Sequence, residues 1–420
     1  MLFLKECKKT ICSLTFVLYA AVIFAMYVSQ FATELDAPIR RPSPENSYYG
    51  SIEKEVPEVL MPAAVESLIS EYLAGSYTAY PFMFYKEVKL KESDTVKIAE
   101  IIEELTDITK SELDHFTEYE AGGYYGQTDE NGNMIMAYKD KVLPEYHLSE
   151  DISYEHFKEL MTQADEIIGK GSKYSEKYLV SNFSTVPMTY EDALTEYEEL
   201  MDEHNFAKAY MRLYCDYLGI DLAIIPIFVC VGLWQMDKRS RMEQLIYSRK
   251  ISSAKLIITR YLALVCCMAV PVALTFFHVM MGLHNLYPEK NIYFGEAAGL
   301  VIMWLLPSIT IVVSVGALIS ELLSPLLAIF VQGVWWYVAL GKNELTGSIT
   351  KYTLVIRHNN LGKTRLFREQ FHDFIWNRTG YFILSIILIG LVIFVYEKAR
   401  KGNYDGKRNL WKNNRRKFKV

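Results

Sequence analysis

The stretch LWQMDKRSRMEQLIYSRKISSAKLIITRY, residues 233–261, lies between two long apolar runs and is itself basic. Its apolar and charged positions alternate at helical spacing, the pattern of an amphipathic helix lying on a membrane surface. The apolar positions are Met242, Leu245, Ile246 and Ile251, and the charged ones are Arg239, Arg241, Glu243 and Lys250. If the stretch served only to fix the orientation of the neighbouring spans, a few basic residues would be enough. A helix of this length is marginal in water, so we expect it to pack on something.

The composition of the chain favours membrane insertion. Of its 420 residues, 51% are hydrophobic and 14% are aromatic, and the apolar residues are clustered. A helix needs about 20 mostly apolar residues to cross about 30 Å of hydrocarbon. Six segments are near that length: 11–31, 214–235, 259–281, 297–320, 325–341 and 380–396. The sequence therefore predicts six spans, although the fifth is short enough to be re-entrant instead.

The first apolar segment has two interpretations. Lys5, Lys8 and Lys9 precede it, as in a secretory signal peptide. Its apolar run is longer than that of a usual signal, and no small-residue cleavage site follows closely, which favours an uncleaved anchor. Under either interpretation, the region that follows lies outside the membrane.

Charge is distributed unevenly along the chain. Residues 33–205 hold 37 acidic and 14 basic residues, a net of −23, whereas the rest holds 13 acidic and 30 basic residues, a net of +17; together they give the net −6 of the whole chain. Basic loops remain in the cytoplasm, so this asymmetry predicts cytoplasmic termini, a cytoplasmic 236–260 segment and an outer acidic domain. The acidic excess suits either solubility or attraction of cationic ligands.

These features predict a mainly α protein with six transmembrane helices and a large, mostly helical extracytoplasmic domain between the first and second spans. The predicted parts are a cytoplasmic N-terminus at 1–10, a first span at 11–31, an acidic extracytoplasmic domain at 32–213, spans two to six at 214–396 and a basic cytoplasmic tail at 397–420. The cytoplasmic helix is expected at about 237–256.

Helical periodicity predicts helices in the outer domain at 56–75, 92–108 and 153–170, and a long helix at 190–214 leading straight into the second span. Ser93 or Asp94 is the expected N-cap of the second helix. The stretch AGGYYGQTDENGNMIMAYKD predicts a hairpin or Ω-loop that turns on Asn131-Gly132.

The sequence lacks a complete catalytic or cofactor motif. LGKT at 361–364 lacks the earlier glycine of a phosphate loop, and DENGN at 129–133 lacks the glycine and glutamate of a calcium loop. All six cysteines lie in or beside apolar runs, so they do not predict a disulfide framework for the outer domain. We therefore expect no catalytic, cofactor-binding or metal-binding residues in this chain, and no nucleic-acid binding.

Three polar residues within the predicted spans are candidates for a substrate or ion pathway: Asp216, Asp221 and Gln332. A carboxylate within the hydrocarbon usually faces a cavity or a partner. Both aspartates are close enough to the interface for hydrated capping, which is the alternative.

The segment RMEQLIYSRKISSAKLIITRYLA resembles the coupling region of permease subunits of ABC-2 type ABC transporters. It has a charged cluster, a Glu-x-Leu core, a turn of small residues and an Ile/Leu-rich stretch that leads into the next span. The layout of one span, a large outer domain and five further spans is also similar. The family often carries a Gly-Thr pair before the glutamate, where this chain has Arg241 and Met242.

The resemblance implies that a coupling helix docks on a separate ABC ATPase subunit, which holds ATP and Mg. Its residues would be Arg239, Arg241, Met242, Glu243, Leu245 and Ile246. The resemblance further implies a second permease copy or a sister permease, export as the direction of transport, and a bacterial plasma membrane. Two alternatives from another class are a membrane sensor and an ATP-driven mechanical transmitter, whose acidic outer domain binds a ligand or partner.

Overall fold

The computed structural model describes residues 2–80, 85–128, 134–341, 349 and 352–402. The chain folds into two compact units: unit 1 is Met1–Pro42 with Leu194–Val420, and unit 2 is Ser43–Ala193. Both units are mainly helical, and the described strands form antiparallel two-stranded pairs. The predicted mainly α fold is therefore confirmed.

The chain begins with two helices that a short break separates. After α1 (Leu2–Ile11), the hydroxyl of Ser13 accepts a hydrogen bond from the amide of Phe16 at 3.2 Å and so caps α2 (Leu14–Met26). A π-helical turn and a 3₁₀ turn extend the apolar helix as far as Leu35. The first span thus lies further along the chain than the predicted 11–31, and α1 is a separate helix.

Unit 2 is a helical domain with three small strand pairs. Its elements are β1 (Ser51–Glu53), α3 (Pro57–Ala74), β2 (Tyr77–Ala79), β3 (Lys86–Val88), α4 (Glu92–Leu105), α5 (Lys110–His115), β4 (Gly123–Thr128), β5 (Met134–Lys139), α6 (Tyr154–Ile168), α7 (Glu176–Phe183) and β6 (Thr185–Pro187). β1 pairs with β6, β2 with β3 and β4 with β5.

The helices predicted at 56–75, 92–108 and 153–170 correspond to α3, α4 and α6, which together form the core of unit 2. α3 ends at Gly75 and α6 ends at Gly169, both in the left-handed conformation that lets a chain leave a helix without strain on a Cβ atom. The three helices are therefore confirmed by the structure.

Two finer predictions in unit 2 have different outcomes. Lys91 occupies the N-cap of α4, so the expected cap at Ser93 or Asp94 is wrong, and both residues lie in the first helical turn. The antiparallel pairing of β4 with β5 confirms the hairpin, whereas its predicted turn at residues 131–132 lies outside the described residues.

A charged side chain is buried in the core of unit 2. The carboxylate of Glu71 accepts hydrogen bonds from the Tyr174 hydroxyl at 2.6 Å and the Thr78 amide at 3.0 Å, and the Lys173 ammonium lies 3.0 Å away. A buried carboxylate is costly unless it is paired and hydrogen-bonded. These partners therefore compensate the burial of Glu71 and fasten α3 to the loop after α6.

A break separates α8 (Tyr190–Met201) from α9 (Glu203–Leu222). Asp202 leaves the helical conformation, and its carboxylate accepts a hydrogen bond from the amide of His204 at 3.0 Å. The prediction of one continuous helix over 190–214 is therefore wrong, because an N-cap aspartate starts a new helix there.

The remaining helices belong to unit 1: α10 (Pro226–Trp234), α11 (Met236–Arg239), α12 (Glu243–Tyr247), α13 (Ser253–Leu286), α14 (Phe294–Leu322), α15 (Pro325–Gly341), α16 (Thr364–Glu369) and α17 (Phe371–Arg400). Five helical segments of the described chain are long and apolar enough to cross a membrane: Leu14–Leu35, Glu203–Trp234, Ser253–Leu286, Phe294–Leu322 and Phe371–Arg400. Such a set is expected of a multi-pass membrane protein.

The fifth of the six predicted spans is the short helix α15. Its 17 residues extend about 25 Å at 1.5 Å per residue, less than the hydrocarbon thickness of about 30 Å. Leu326, Phe330 and Val334 form an exposed apolar stripe along it. The described residues therefore contain five full-length spans and one short apolar helix, rather than six full-length spans.

The second span is broken between α9 and α10. Pro226 has no amide hydrogen, and the amides of Ile224 and Ile227 bond three residues back instead of four. The carbonyls of Ile220 and Ala223 consequently lose their usual helical partners.

α15 supplies the partners that the broken span lacks. The side-chain amide of Gln332 donates to the carbonyl of Ala223 at 2.7 Å, and the indole of Trp336 donates to that of Ile220 at 2.9 Å. Neighbouring helices satisfy freed backbone groups in this way wherever water is excluded. The short helix therefore completes the hydrogen bonding of the second span.

Candidate functional site

The candidate site is the segment Met236–Ser252, which joins α10 to α13. The sequence predicts one amphipathic helix at about 237–256, whereas the structure has two short helices, α11 and α12, and α13 begins at Ser253. Arg241 adopts a left-handed conformation with φ of 54°, which interrupts the helix. The Ser252 hydroxyl accepts a hydrogen bond from the amide of Lys255 at 3.2 Å and so starts α13 separately.

One side of the 236–252 segment packs against the remainder of unit 1. Ile246, Tyr247 and Ile251 are partly buried against its core. The ring of Tyr247 meets that of Tyr396 edge-on, with centroids 5.5 Å apart. Tyr396 lies near the end of α17, so aromatic contact joins the segment to the last span.

Arg400, the last residue of α17, binds one carbonyl at the end of α12 and two in the turn that follows it. Its Nε donates to Tyr247 at 3.0 Å, Nη2 to Arg249 at 2.7 Å and Nη1 to Ile251 at 2.6 Å. The Tyr247 carbonyl ends α12 and lacks an intrahelical partner, and the planar fork of a guanidinium can bind it together with two carbonyls of the turn that follows. Arg400 therefore fixes the back of the 236–252 segment to the last span.

The other side of the segment is exposed and partly apolar. Met236, Met242 and Leu245 are 46%, 43% and 51% exposed, and Arg241 is exposed beside them. Ile246, by contrast, faces unit 1, so the predicted coupling residues divide between an inner and an outer side.

Two of the predicted coupling residues are placed by their backbone alone. Arg239 ends α11 and Glu243 begins α12, so they flank the turn that contains Arg241. Their side chains lie outside the described part of the structure.

A charged network joins α11 to two further helices. The carboxylate of Asp237 pairs with Arg260 of α13, and the Lys9 ammonium of α1 lies 3.3 Å from its other oxygen. Nε of Arg260 lies 3.6 Å from the carboxylate of Glu6, also on α1. Displacing α11 therefore displaces charges on both α1 and α13.

Asp216 lies in α9 and is fully buried. One of its oxygens accepts hydrogen bonds from the amides of His358 at 2.7 Å and Asn359 at 3.1 Å. One turn earlier, Arg212 donates to the carbonyls of Asn360 at 3.1 Å and Leu361 at 2.5 Å. The two residues hold the loop before α16 against α9, so Asp216 is not a hydrated interfacial cap.

No hydrogen bond among the described residues joins Asp221 or Gln332, the other two polar candidates, to Asp216. Asp221 is half-buried, and its buried Oδ2 has no hydrogen-bond partner among the described residues. Gln332 is fully buried and bonds to Ala223. The structure thus places Gln332 in the packing of α15 against the broken second span.

Sequence reasoning missed the residues that hold the site together. In the sequence analysis, Lys9 appears only as a basic residue before the first apolar segment and Arg400 only as part of the charge asymmetry. Asp237 and Arg260 appear only as part of a basic stretch. Their partners lie on helices remote in sequence, so no local pattern marks them. Arg400 has one signal, since the predicted topology places the end of its apolar helix on the same side of the membrane as the 236–252 segment.

The described residues hold no group of three or more His, Cys, Asp or Glu side chains arranged to bind a metal ion. Comparison with protein-family models, with curated proteins and with solved structures gives no significant match to this chain.

Proposed function

We propose that the chain is the membrane-spanning subunit of an ATP-driven transporter of the ABC-2 type, and that a separate ATPase subunit docks on the 236–252 segment. The observation that carries this proposal is the two-sided character of that segment. Arg400 and Tyr396 hold its back to the last span, while Met242 and Leu245 stand exposed on its front. A surface that must transmit a displacement needs both features.

In this mechanism, ATP and Mg bind to the ATPase subunit. Binding of ATP draws two ATPase subunits together and shifts the segments docked on them. Arg400 passes the displacement to α17, and the pairing of Asp237 with Arg260 passes it to α13. The spans then change between two packings, each favoured by one state of the ATPase.

Under this proposal the transporter contains two permease subunits, either two copies of this chain or this chain with a sister. Both termini and the 236–252 segment face the cytoplasm, and unit 2 lies outside the membrane. The net charge of −23 over residues 33–205 supports this orientation, because basic loops are retained in the cytoplasm. Export from a bacterial cell is the corresponding direction of transport.

The test begins with mild-detergent purification of the tagged chain from its native host. Mass spectrometry identifies the co-purifying proteins, and ATP hydrolysis is assayed in the same preparation. We expect a stoichiometric ATPase that is lost in Leu245→Asp, because a charge at the centre of an apolar contact is costly to bury. The matched control is Val59→Asp in α3, where the same kind of change falls on a similarly exposed side chain, and there the ATPase should remain bound.

The alternative functions make a different prediction for the same preparation. A sensor would purify without any ATPase, and ligand screening of unit 2 would follow. A mechanical transmitter would retain the ATPase but show no movement of solute when the complex is placed in vesicles. An ATPase that binds Leu245→Asp as tightly as the unchanged chain would remove the docking assignment.

A further inference from the structure

A pocket of about 390 Å³ lies in unit 1 between the first turns of α9 and α14 and the short helix α16. Its lining positions recur at three and four residues, 205 to 212 on α9 and 296 to 303 on α14, so each helix contributes one face. Seven residues rise about 10 Å along a helix. The pocket therefore starts at the span ends remote from the 236–252 segment and reaches into the apolar region.

The pocket carries an excess of positive charge. Lys208, Arg212, Arg368 and Glu296 line it, and the Lys208 ammonium lies 2.5 Å from the Glu296 carboxylate. Among the described residues, no carboxylate lies within 4 Å of the guanidinium of either arginine. The carboxylates of Asp216 and Glu196 act on Arg212 only from beyond that distance, so both arginines lack a direct ion pair.

Arg212 is the deeper of these arginines, and only 1% of its surface is exposed. One guanidinium nitrogen binds the carbonyls of Asn360 and Leu361, but its buried Nε has no hydrogen-bond partner in the described chain. A buried charged donor without a partner is costly. An anionic oxygen bound in the pocket would accept the hydrogen bond that Nε of Arg212 can donate.

The remaining walls are apolar and include Leu300, Met303, Phe367 and Phe371. At Gly299 an added Cβ would meet nothing within 4 Å, so the pocket is open along this side of α14. A free inorganic anion would leave those apolar walls unused. We propose that the pocket binds an anionic phospholipid, with its headgroup at the cationic mouth and an acyl chain along α14.

The proposed lipid site does not require an ATPase partner, and it lies in the leaflet on the side of Glu296. The headgroup region of a bilayer lies where the hydrophobic part of the spans ends, which is where Lys208 and Glu296 begin the pocket. Juxtamembrane cations attract anionic lipids by charge, and a pocket adds apolar contact to that attraction.

The test is native mass spectrometry of the delipidated full-length chain in detergent. Phosphatidylglycerol or phosphatidylcholine with identical acyl chains is added, and bound lipids are counted for each variant. Gly299→Leu should fill the pocket and abolish the bound phosphatidylglycerol. Gly390→Leu is the control, since Gly390 is an exposed helical glycine of α17 that does not line the pocket and also has open space around an added Cβ.

A second pair of variants tests the charge. Arg368→Gln should weaken the binding of phosphatidylglycerol about fivefold, the effect of one basic residue beside an anionic lipid surface. Arg365→Gln, which lies on the same helix outside the pocket, should leave it unchanged. Equal binding of both lipids, or full binding in Gly299→Leu, would overturn the proposal. Displacement of the bound lipid by millimolar inorganic phosphate would overturn it in favour of a free anion.

Discussion

The carboxylate of Asp216 accepts a hydrogen bond from the amide of His358 at 2.7 Å, and both residues are fully buried. The same oxygen accepts the amide of Asn359, and Nδ1 of His358 lies 3.5 Å from the other oxygen. One side chain of a span therefore satisfies two consecutive amides of a loop that would otherwise be buried without partners.

Replacing Asp216 with Ala should destabilise unit 1, because the amides of His358 and Asn359 would both lose their acceptor. We expect the free energy of unfolding to fall by about 2 kcal/mol, which lowers the midpoint of thermal unfolding by roughly 4–8 °C. The measurement is thermal unfolding of the purified chain in detergent. The midpoint of Asp216→Asn, which keeps one oxygen acceptor, should fall between those of the original chain and of Asp216→Ala. Equal midpoints for all three proteins would contradict the role assigned to the carboxylate.

Replacing Arg400 with Ala should loosen the 236–252 segment from α17. Three carbonyls lose a charged donor, so hydrogen–deuterium exchange should rise over residues 243–252. If the proposed function holds, ATPase activity coupled to transport should also fall severalfold. Arg400→Lys should show an intermediate effect, because a lysine lacks the planar fork.

The control for Arg400 is Lys401→Ala. Lys401 is more exposed and pairs with Glu397 one turn earlier, without contact to the segment carbonyls. It should leave exchange over residues 243–252 unchanged. Unchanged exchange in Arg400→Ala itself would mean that Tyr247 and Ile251 hold the segment by packing alone.

The stability of unit 2 should depend on pH through His156. Hydrogen bonds that the His156 ring donates to Glu104 first, and then to Glu159, raise the pKa of His156 above its usual value. A histidine whose pKa is higher in the folded protein than in the unfolded chain stabilises the folded state. This stabilisation is complete below the pKa of the unfolded chain, about 6.5, and is lost as the pH rises through the pKa of the folded protein. Exchange in α4 and α6 should therefore increase from pH 6 to pH 8, after correction for the intrinsic rate.

His156→Gln should remove that pH dependence. His115→Gln serves as the control, because the His115 ring contacts the carbonyl of Ser111 in its own helix and joins no second element. A pH dependence that persists in His156→Gln, or disappears in His115→Gln, would show that another group causes it.

Replacing Gln332 with Leu should leave the carbonyl of Ala223 without its donor at nearly unchanged side-chain volume. An unsatisfied buried carbonyl costs about 1–3 kcal/mol, so unfolding should occur at lower denaturant concentration. Val331→Leu, an exposed neighbour on α15, should unfold as the original chain does. A stabilised Gln332→Leu would mean that α15 gains more from apolar packing than it loses in hydrogen bonding.

Long apolar runs and strong periodicity predicted most of the helices. The helices α3, α4 and α6 and the full-length spans follow from spacing and length, which are local properties of the sequence. The break at Asp202 escaped prediction because a single N-cap residue outweighs an otherwise continuous pattern. The two-helix form of the 236–252 segment escaped it because Arg241 adopts a conformation that non-glycine residues rarely take.

The position of the 236–252 segment between two apolar helices was predictable from the sequence, but its construction was not. Exposed Met242 and Leu245 lie where the basic, amphipathic stretch predicted an interaction surface. The role of Arg400 depends on a partner about 150 residues away, a distance over which sequence spacing carries no information. Burial of Asp216 likewise depends on the loop that folds back over α9.

The broken second span imposes an order on biogenesis. Ala223 leaves the ribosome 109 residues before Gln332, the side chain that satisfies its carbonyl. During that interval α9 and α10 enter the bilayer with two backbone acceptors open, each costing several kcal/mol in hydrocarbon. The nascent span must therefore keep those carbonyls near water, or at the insertion machinery, until α15 arrives. The hydrogen bonding of the second span is thus complete only after α15 has been synthesised.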